Sequence, residues 1–219
     1  MQTSETQVIY YAERANEYDI TSGYQLPRAA ASMAPIKARY QLAFDGADVL
    51  EIACGTGFWT RVVAETARSV TASDVNPEVI RLARERVQGL SNVQFVQADA
   101  FTLEGIRGPF SGALAQFWWS HIPVVRLPEF LRSLHSKLLP GARVMFMDAL
   151  QSGRARNRRY DSNGDLLVER TLRDGRRYEI IKNVPHKDTV MSLLEPIAED
   201  IVFREYPANG GWTLSYRTR

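Results

Sequence analysis

From residue 47 onward, short apolar runs alternate with longer segments whose apolar positions recur every three to four residues. "ADVLEIA" (47–53) reads as a buried strand, and "FWTRVVAETA" (58–67) as the helix after a glycine turn. "SVTASD" is a second strand ending at Asp74. "NPEVIRLARERV" then opens a helix, with Asn76 as N-cap, Pro77 at the first helical position and Glu78 in the first turn. "NVQFVQA" and "FSGALAQFWW" read as the third and fourth strands. "RLPEFLRSLHSKLL" (126–139) sets Leu127, Phe130, Leu131, Leu134 and Leu138 at helical spacing, with Pro140-Gly141 as its stop. "ARVMFMDAL" is the fifth strand. Such alternation calls for a mostly parallel sheet with helices on both faces, a Rossmann-like α/β fold.

The rhythm breaks after residue 150. "DLLVERTLRDGRRYEIIKNV" is two strand-like runs around Asp174-Gly175, a hairpin signal. "KDTVMSLLEPIA" reads as a helix, and "DIVFREYP" and "GWTLSYRT" flank "ANGG" as a second hairpin. The first fifty residues read as helices, "PRAAASMAPIKARYQLAF" most clearly, lying over the carboxyl edge of the sheet.

Composition narrows the field. With 219 residues, 45% hydrophobic and 24% charged, the chain has the makings of one globular domain, and no linker-like tract divides it. A formal charge of +2 is too mild to imply nucleic acid or a membrane as partner. The single cysteine, Cys54, allows no internal disulfide and suits a reducing compartment. The N-terminus lacks the pattern of a signal peptide, and no run approaches the roughly 18 apolar residues of a membrane span. The expectation is a cytoplasmic protein.

The chemistry begins at "VLEIACGTGFWT" (49–60), a strand that ends in an acid and a glycine-rich turn. Ligands of open α/β sheets bind at the carboxyl ends of the strands, where strand order reverses. No phosphate-loop lysine follows the glycines. A dinucleotide fingerprint is incomplete, because Thr60 stands where a third small residue belongs and Glu51 would sit poorly beside a pyrophosphate. A cationic ligand without phosphate suits the acid better.

Glu51-x-x-x-Gly55-x-Gly57 resembles motif I of the class I S-adenosylmethionine (SAM)-dependent methyltransferases. Asp74, 17 residues after Gly57, matches that family's ribose-binding acid, and "QADAF" (97–101) matches its next motif. Ala53 stands where many members have the first glycine. The resemblance implies a seven-stranded, mostly parallel sheet closed by an antiparallel C-terminal hairpin. It implies SAM as cofactor, with Glu51 toward the methionine end, Asp74 on the ribose hydroxyls and Val75 against the adenine. Asp99 would take the adenine amino group and the Ala100 amide would meet the ring. In this frame residues 1–219 form a single domain, with 1–45 a helical cap and 151–183 a hairpin inserted near the active site.

The fourth strand's end, "QFWWSHIP", would open onto the methyl group. Phe117, Trp118 and Trp119 are expected to wall the pocket, where aromatic faces favour a sulfonium. Ser120, His121 and Asp148 are expected to face the acceptor. His121 is the candidate general base, since an imidazole titrates near working pH. His135 and His186 read as structural. In "YYAERANEYD", Tyr11, Arg14 and Tyr18 share a helix face, and Arg14 is placed to pair with the methionine carboxylate. The stretch 153–177 carries eight arginines against four acids, a net +4. It reads either as a lid that draws an anionic acceptor or as a solvated hairpin paired with its own acids.

The expected function is O- or N-methylation of a small molecule in secondary metabolism, without metal or nucleic acid. Transfer or cyclisation of SAM's aminocarboxypropyl arm, and a non-catalytic nucleotide-binding module, are the alternatives. Neither the acceptor nor the oligomeric state is legible in the residues.

Overall fold

A computed structural model describes residues 3–22, 27–150, 156–206 and 210–219. The sheet grows outward from β1 (Asp48–Ile52), where four successive residues are buried. Parallel strands covered on both faces need such unbroken burial. β1 pairs in parallel with β2 (Ser69–Asp74) on one side and β4 (Phe110–Gln116) on the other. β3 (Val93–Gln97) extends the first side; β5 (Leu138–Ala149) extends the second. β10 (Gly211–Thr218) runs antiparallel between β5 and β9 (Ala198–Tyr206), completing the order β3-β2-β1-β4-β5-β10-β9. This is the Rossmann-like methyltransferase sheet. The order reverses between β1 and β4, so a crevice opens at their carboxyl ends.

Helices cover both faces. On one, Tyr40 and Phe44 of α3 (Pro27–Ala43 and the residue after it) meet Trp59, Val62 and Val63 of α4 (Phe58–Ala64) over β1 and β2. On the other, Phe130, Leu131 and Leu134 of α6 (Leu127–His135) and Val190 and Leu194 of α7 (Lys187–Leu194) cover β4, β5 and β10. α5 (Pro77–Arg86) follows β2, with Pro77 at its start.

Three expectations need correction. Leu138 and Leu139 belong to β5, because α6 ends at His135 and Pro140-Gly141 lie inside the strand. Pro140 is tolerated because the β10 ladder begins only at Arg143, so no ladder bond needs its missing N–H. β4 stops at Gln116, and Phe117 turns the chain out of the sheet at φ 58. The inserted hairpin is a three-stranded antiparallel sheet: β6 (Arg156–Tyr160), β7 (Leu166–Thr171) and β8 (Arg177–Ile181). Its first strand, "RNRRY", has no apolar alternation to signal it. Residues 151–155 of that stretch and the tip of the second hairpin at 207–209 lie outside the described residues.

The N-terminal segment bridges the two sheets. α1 (Thr3–Arg14) sinks Tyr10 among Val168, Leu172 and Ile180 of the small sheet. α2 (Tyr18–Ser22) turns back to the crevice, where Asp19 accepts from Thr56 Oγ1 at 2.7 Å and pairs with Arg86. Among the described residues no helix is long and apolar enough to cross a membrane.

Candidate active site

The glycine turn after β1 is shaped by backbone rather than side chains. Gly55 and Gly57 take φ 54 and 77, and Gly57 starts α4. A Cβ on Gly57 would lie 2.9 Å from the Ala83 backbone. This glycine therefore lets α4 pass close to α5 and does not line the cavity, a correction to its expected role. Ala53 also has positive φ, at 52. A methyl side chain is strained there, which explains why glycine suits the position.

Asp74 ends β2 with its carboxylate already oriented. Gly55 N donates to Oδ2 and Asn76 N to Oδ1, both at 3.0 Å. Burial raises its pKa despite these bonds. Glu51 lies deeper, 2% exposed, accepting from Thr60 Oγ1 at 2.6 Å. Burial pushes its carboxyl up to about 8, Thr60 opposes that rise and the charge of Asp74 adds to it. Burial also pushes the Cys54 thiol up, so it is no nucleophile. Asp99 accepts from the Phe101 and Thr102 amides at 2.7 and 3.3 Å, which caps the turn after β3.

Two cavities flank the carboxyl edge. The first, about 300 Å³, runs from Ala53, Gly55 and Asp74 past Val75 to Asp99 and Ala100. Val8, Val79 and Phe101 add apolar walls, and Arg126, its guanidinium 3.4 Å above the Phe101 ring, closes the far end. The second, about 460 Å³, lies between α1 and the small sheet. Tyr11, Tyr18, Phe117 and His121 line both. The junction is thus made of three aromatic rings and one imidazole.

His121 is buried, and each ring nitrogen has a distinct task. Nδ1 is 2.8 Å from the Ile181 carbonyl, which can only accept, so Nδ1 carries the proton. Nε2 is therefore a bare acceptor, and Tyr11 Oη donates to it at 2.8 Å. Burial keeps the Tyr11 phenol protonated by raising its pKa. Lys182 Nζ lies 3.4 Å from Nε2 and also reaches Ser120 Oγ at 2.6 Å and Asp148 Oδ1 at 3.1 Å. Burial first, and then the Lys182 cation, lower the His121 pKa to about 3. The expected titration near working pH is overturned: the imidazole stays neutral.

Several expected residues stand elsewhere. Trp119 is packed in the core against Phe146 and Trp212, while Trp118 does line the first cavity. Ser120 and Asp148 are fully buried behind the pocket, the Ser120 amide donating to Asp148 Oδ2 at 2.9 Å. Together they hold Lys182. The Lys182 charge in turn keeps the Asp148 pKa low against the pull of burial. Arg14 lines the second cavity, donating to Thr21 Oγ1 at 2.9 Å and lying over the Tyr18 ring. Sequence reasoning missed Gln7, Arg126, Arg170 and Lys182, which carry no motif and reach the site only through the fold.

The cavity suits SAM on its own chemistry. An acid with both oxygens oriented faces the middle of the cavity, apolar side chains flank the Asp99 end, and aromatic rings stand at the junction. Gln7 donates its amide to the His121 carbonyl at 3.2 Å, leaving Gln7 Oε1 buried at the wall without a partner. Trp118 Nε1 is likewise unpaired.

Comparison with known proteins agrees. The family model described as "Methyltransferase domain" matches residues 49–141. The DhpI–SAM–HEP complex superposes with a TM-score of 0.79 at 34% identity, covering 98% of this chain and 97% of that one. The DhpI–SAH complex gives 0.77 at 30%, covering 99% and 97%. The ubiquinone biosynthesis O-methyltransferase of Xanthomonas campestris is 32% identical over 153 residues, 67% of this chain and 61% of that protein. The demethylmenaquinone methyltransferase of Staphylococcus epidermidis is 27% identical over 109 residues, 44% of its length. The matched part thus spans between two fifths and two thirds of these curated relatives. The fold and the site define a ligand crevice at the carboxyl edge of the sheet. The chain belongs to the class I SAM-dependent methyltransferases, and its cofactor is SAM.

Proposed function

We propose that the chain methylates an oxygen of a small-molecule acceptor seated in the second cavity, with His121 at the point of transfer. The observation that carries this reading is the Nε2 of His121. It is an unprotonated acceptor, fixed by Ile181, at the junction shared by the two cavities. SAM supplies an electrophilic methyl carbon on a sulfonium. The protein's part is to hold the acceptor atom in line, exclude water and receive a proton.

An acceptor hydroxyl entering the junction replaces Tyr11 Oη as the donor to Nε2. As its oxygen bonds to carbon, the O–H becomes strongly acidic, so even an imidazole of low basicity takes the proton. The Lys182 and Arg170 cations beside the junction repel an ammonium, and this supports oxygen over amine nitrogen. Asp148 and Ser120 are positioning residues, acting on the acceptor only through Lys182. The half-buried rings of Phe117 and Trp118 on the cavity wall would favour the sulfonium by cation–π contact.

The test is incubation with methyl-labelled SAM and a panel of hydroxylated, carboxylated and amine metabolites. The expected result is S-adenosylhomocysteine with label on an oxygen. Methylthioadenosine as the spent cofactor would instead assign the chain to transfer of the aminocarboxypropyl arm.

A further inference from the structure

The arginine-rich stretch divides in two once its partners are known. Arg159 pairs with Glu179, Arg173 with Glu17, Arg176 with Glu13 and Asp174, and Arg177 with Glu169. These four arginines form a salt-bridged sheet surface. Arg170 differs. It ends β7, is half-buried, and lines the second cavity with no carboxylate in ion-pair range among the described residues. Across the cavity, Arg14 of α1 is also half-buried, donating to Thr21 Oγ1 and lying beside the Tyr10 and Tyr18 rings, with no carboxylate in ion-pair range among the described residues. Glu17, the one acid on the wall, already faces Arg173. Lys182 has its three donors directed at Ser120, Asp148 and His121.

Two half-buried guanidiniums facing one cavity without a carboxylate partner repel each other and leave the cavity wall positively charged. Such a pair persists where a ligand supplies the missing charge. We infer that Arg14 and Arg170 form an oxyanion-binding subsite, so that the acceptor carries a carboxylate or phosphoryl group held between α1 and β7. This rests on the reading that the second cavity is the acceptor's. Planar guanidinium forks suit both groups, since each offers paired oxygens for two parallel hydrogen bonds. The subsite also explains how acceptor binding fastens α1. The ligand would tie the N-terminal helix to the small sheet beside His121, while Asp19 of α2 ties the next helix to the cofactor loop.

The experiment is calorimetry on the full chain, with and without saturating S-adenosylhomocysteine. The probes are phenylphosphonate, benzoate and the neutral benzamide. One or both anions should bind saturably, weakening with added salt, and benzamide should bind about tenfold or more weakly. Arg170→Met should lower anion affinity by about tenfold to a hundredfold. S-adenosylhomocysteine affinity should stay unchanged, which also reports that the variant is folded. Arg14→Met should act in the same direction, Arg170→Lys should recover part of the loss, and Arg177→Met on the exposed face should change neither affinity. The two anion arms tell phosphoryl from carboxylate. Anion binding that is absent in the wild type, equal to that of benzamide, or indifferent to both arginines overturns the subsite. Failure of S-adenosylhomocysteine to bind counts against the methyltransferase reading instead, and the cofactor-free titrations still judge the subsite.

Discussion

The two cavities are built in opposite ways. The cofactor cavity is made by turns at the carboxyl edge of one sheet, and its polar groups are oriented by backbone N–H groups of those same turns. Asp74 is held by Gly55 and Asn76, and Asp99 by Phe101 and Thr102. The acceptor cavity is assembled from parts far apart in the chain. His121 is fixed by Ile181 and met by Tyr11, 60 and 110 positions away. A chemistry shared across a family can be carried by local turns, whereas selection of a particular acceptor is left to pieces that vary independently.

Substitutions at each side should separate these roles. The largest effect on turnover should come from His121→Ala, a fall of about 10²–10⁴ in kcat. No acid-side inflection from this residue is expected between about pH 5 and 9 in the wild type, since its imidazole titrates near 3. A pH–rate profile with a limb near 6.5 that His121→Ala abolishes would contradict the neutral-imidazole account. Asp74→Ala removes a carboxylate whose two oxygens are oriented by Gly55 and Asn76 and which we propose holds the ribose hydroxyls. Losing two charge-assisted hydrogen bonds should weaken SAM binding by a factor on the order of 10² or more, read by calorimetry. A change below fivefold would mean that the ribose is held elsewhere.

Smaller effects test the joints between the regions. Tyr11→Phe deletes the donor to Nε2 but leaves the ring, so kcat should change by less than about tenfold. A loss as large as that of His121→Ala would make the phenol itself indispensable. Glu51 offers a stability test. Its folded pKa of about 8 exceeds the ordinary 4.5, so the native state keeps a proton that the unfolded chain releases. Its stabilising contribution in the cofactor-free protein is complete below 4.5 and is lost as pH rises to about 8. Glu51→Gln should flatten that decline in denaturant titrations between pH 5 and 8.5; equal slopes would refute the shift. Smallest of all, Ala53→Gly relieves a positive φ at the entropic cost of glycine, and the net gain should be between zero and about 1 kcal/mol.

The same contrast governs what could be read before the fold was known. The alternation of strands and helices was legible because local periodicity encodes it, while the crevice and the motif residues Glu51, Gly55, Asp74 and Asp99 were read from resemblance to a family. The fold brings Gly55, Asp74 and Asp99 to one cavity wall and buries Glu51 behind it. Trp119 misled because an aromatic residue after a strand can point to either side, and the turn at Phe117 sends it into the core. Gly57 misled because its requirement is passage of α4 past Ala83, which spacing alone cannot distinguish from ligand contact. The helix expected to carry Tyr11, Arg14 and Tyr18 on one face is broken after Arg14, so Tyr18 opens α2 and Arg14 lines the second cavity. Lys182 and Arg170 were invisible as individuals, being two among 27 lysines and arginines, until β7 and β8 brought them to the cavity wall.

The central claim is that binding of the cofactor and handling of the acceptor reside in different parts of one crevice. Titration of S-adenosylhomocysteine into the wild type and into His121→Ala tests it most directly. The account predicts saturable binding to both, with affinities within about twofold of each other, although the variant has lost turnover. A loss of affinity in His121→Ala comparable to that in Asp74→Ala would contradict it, because His121 would then belong to the cofactor cavity rather than to its junction with the acceptor.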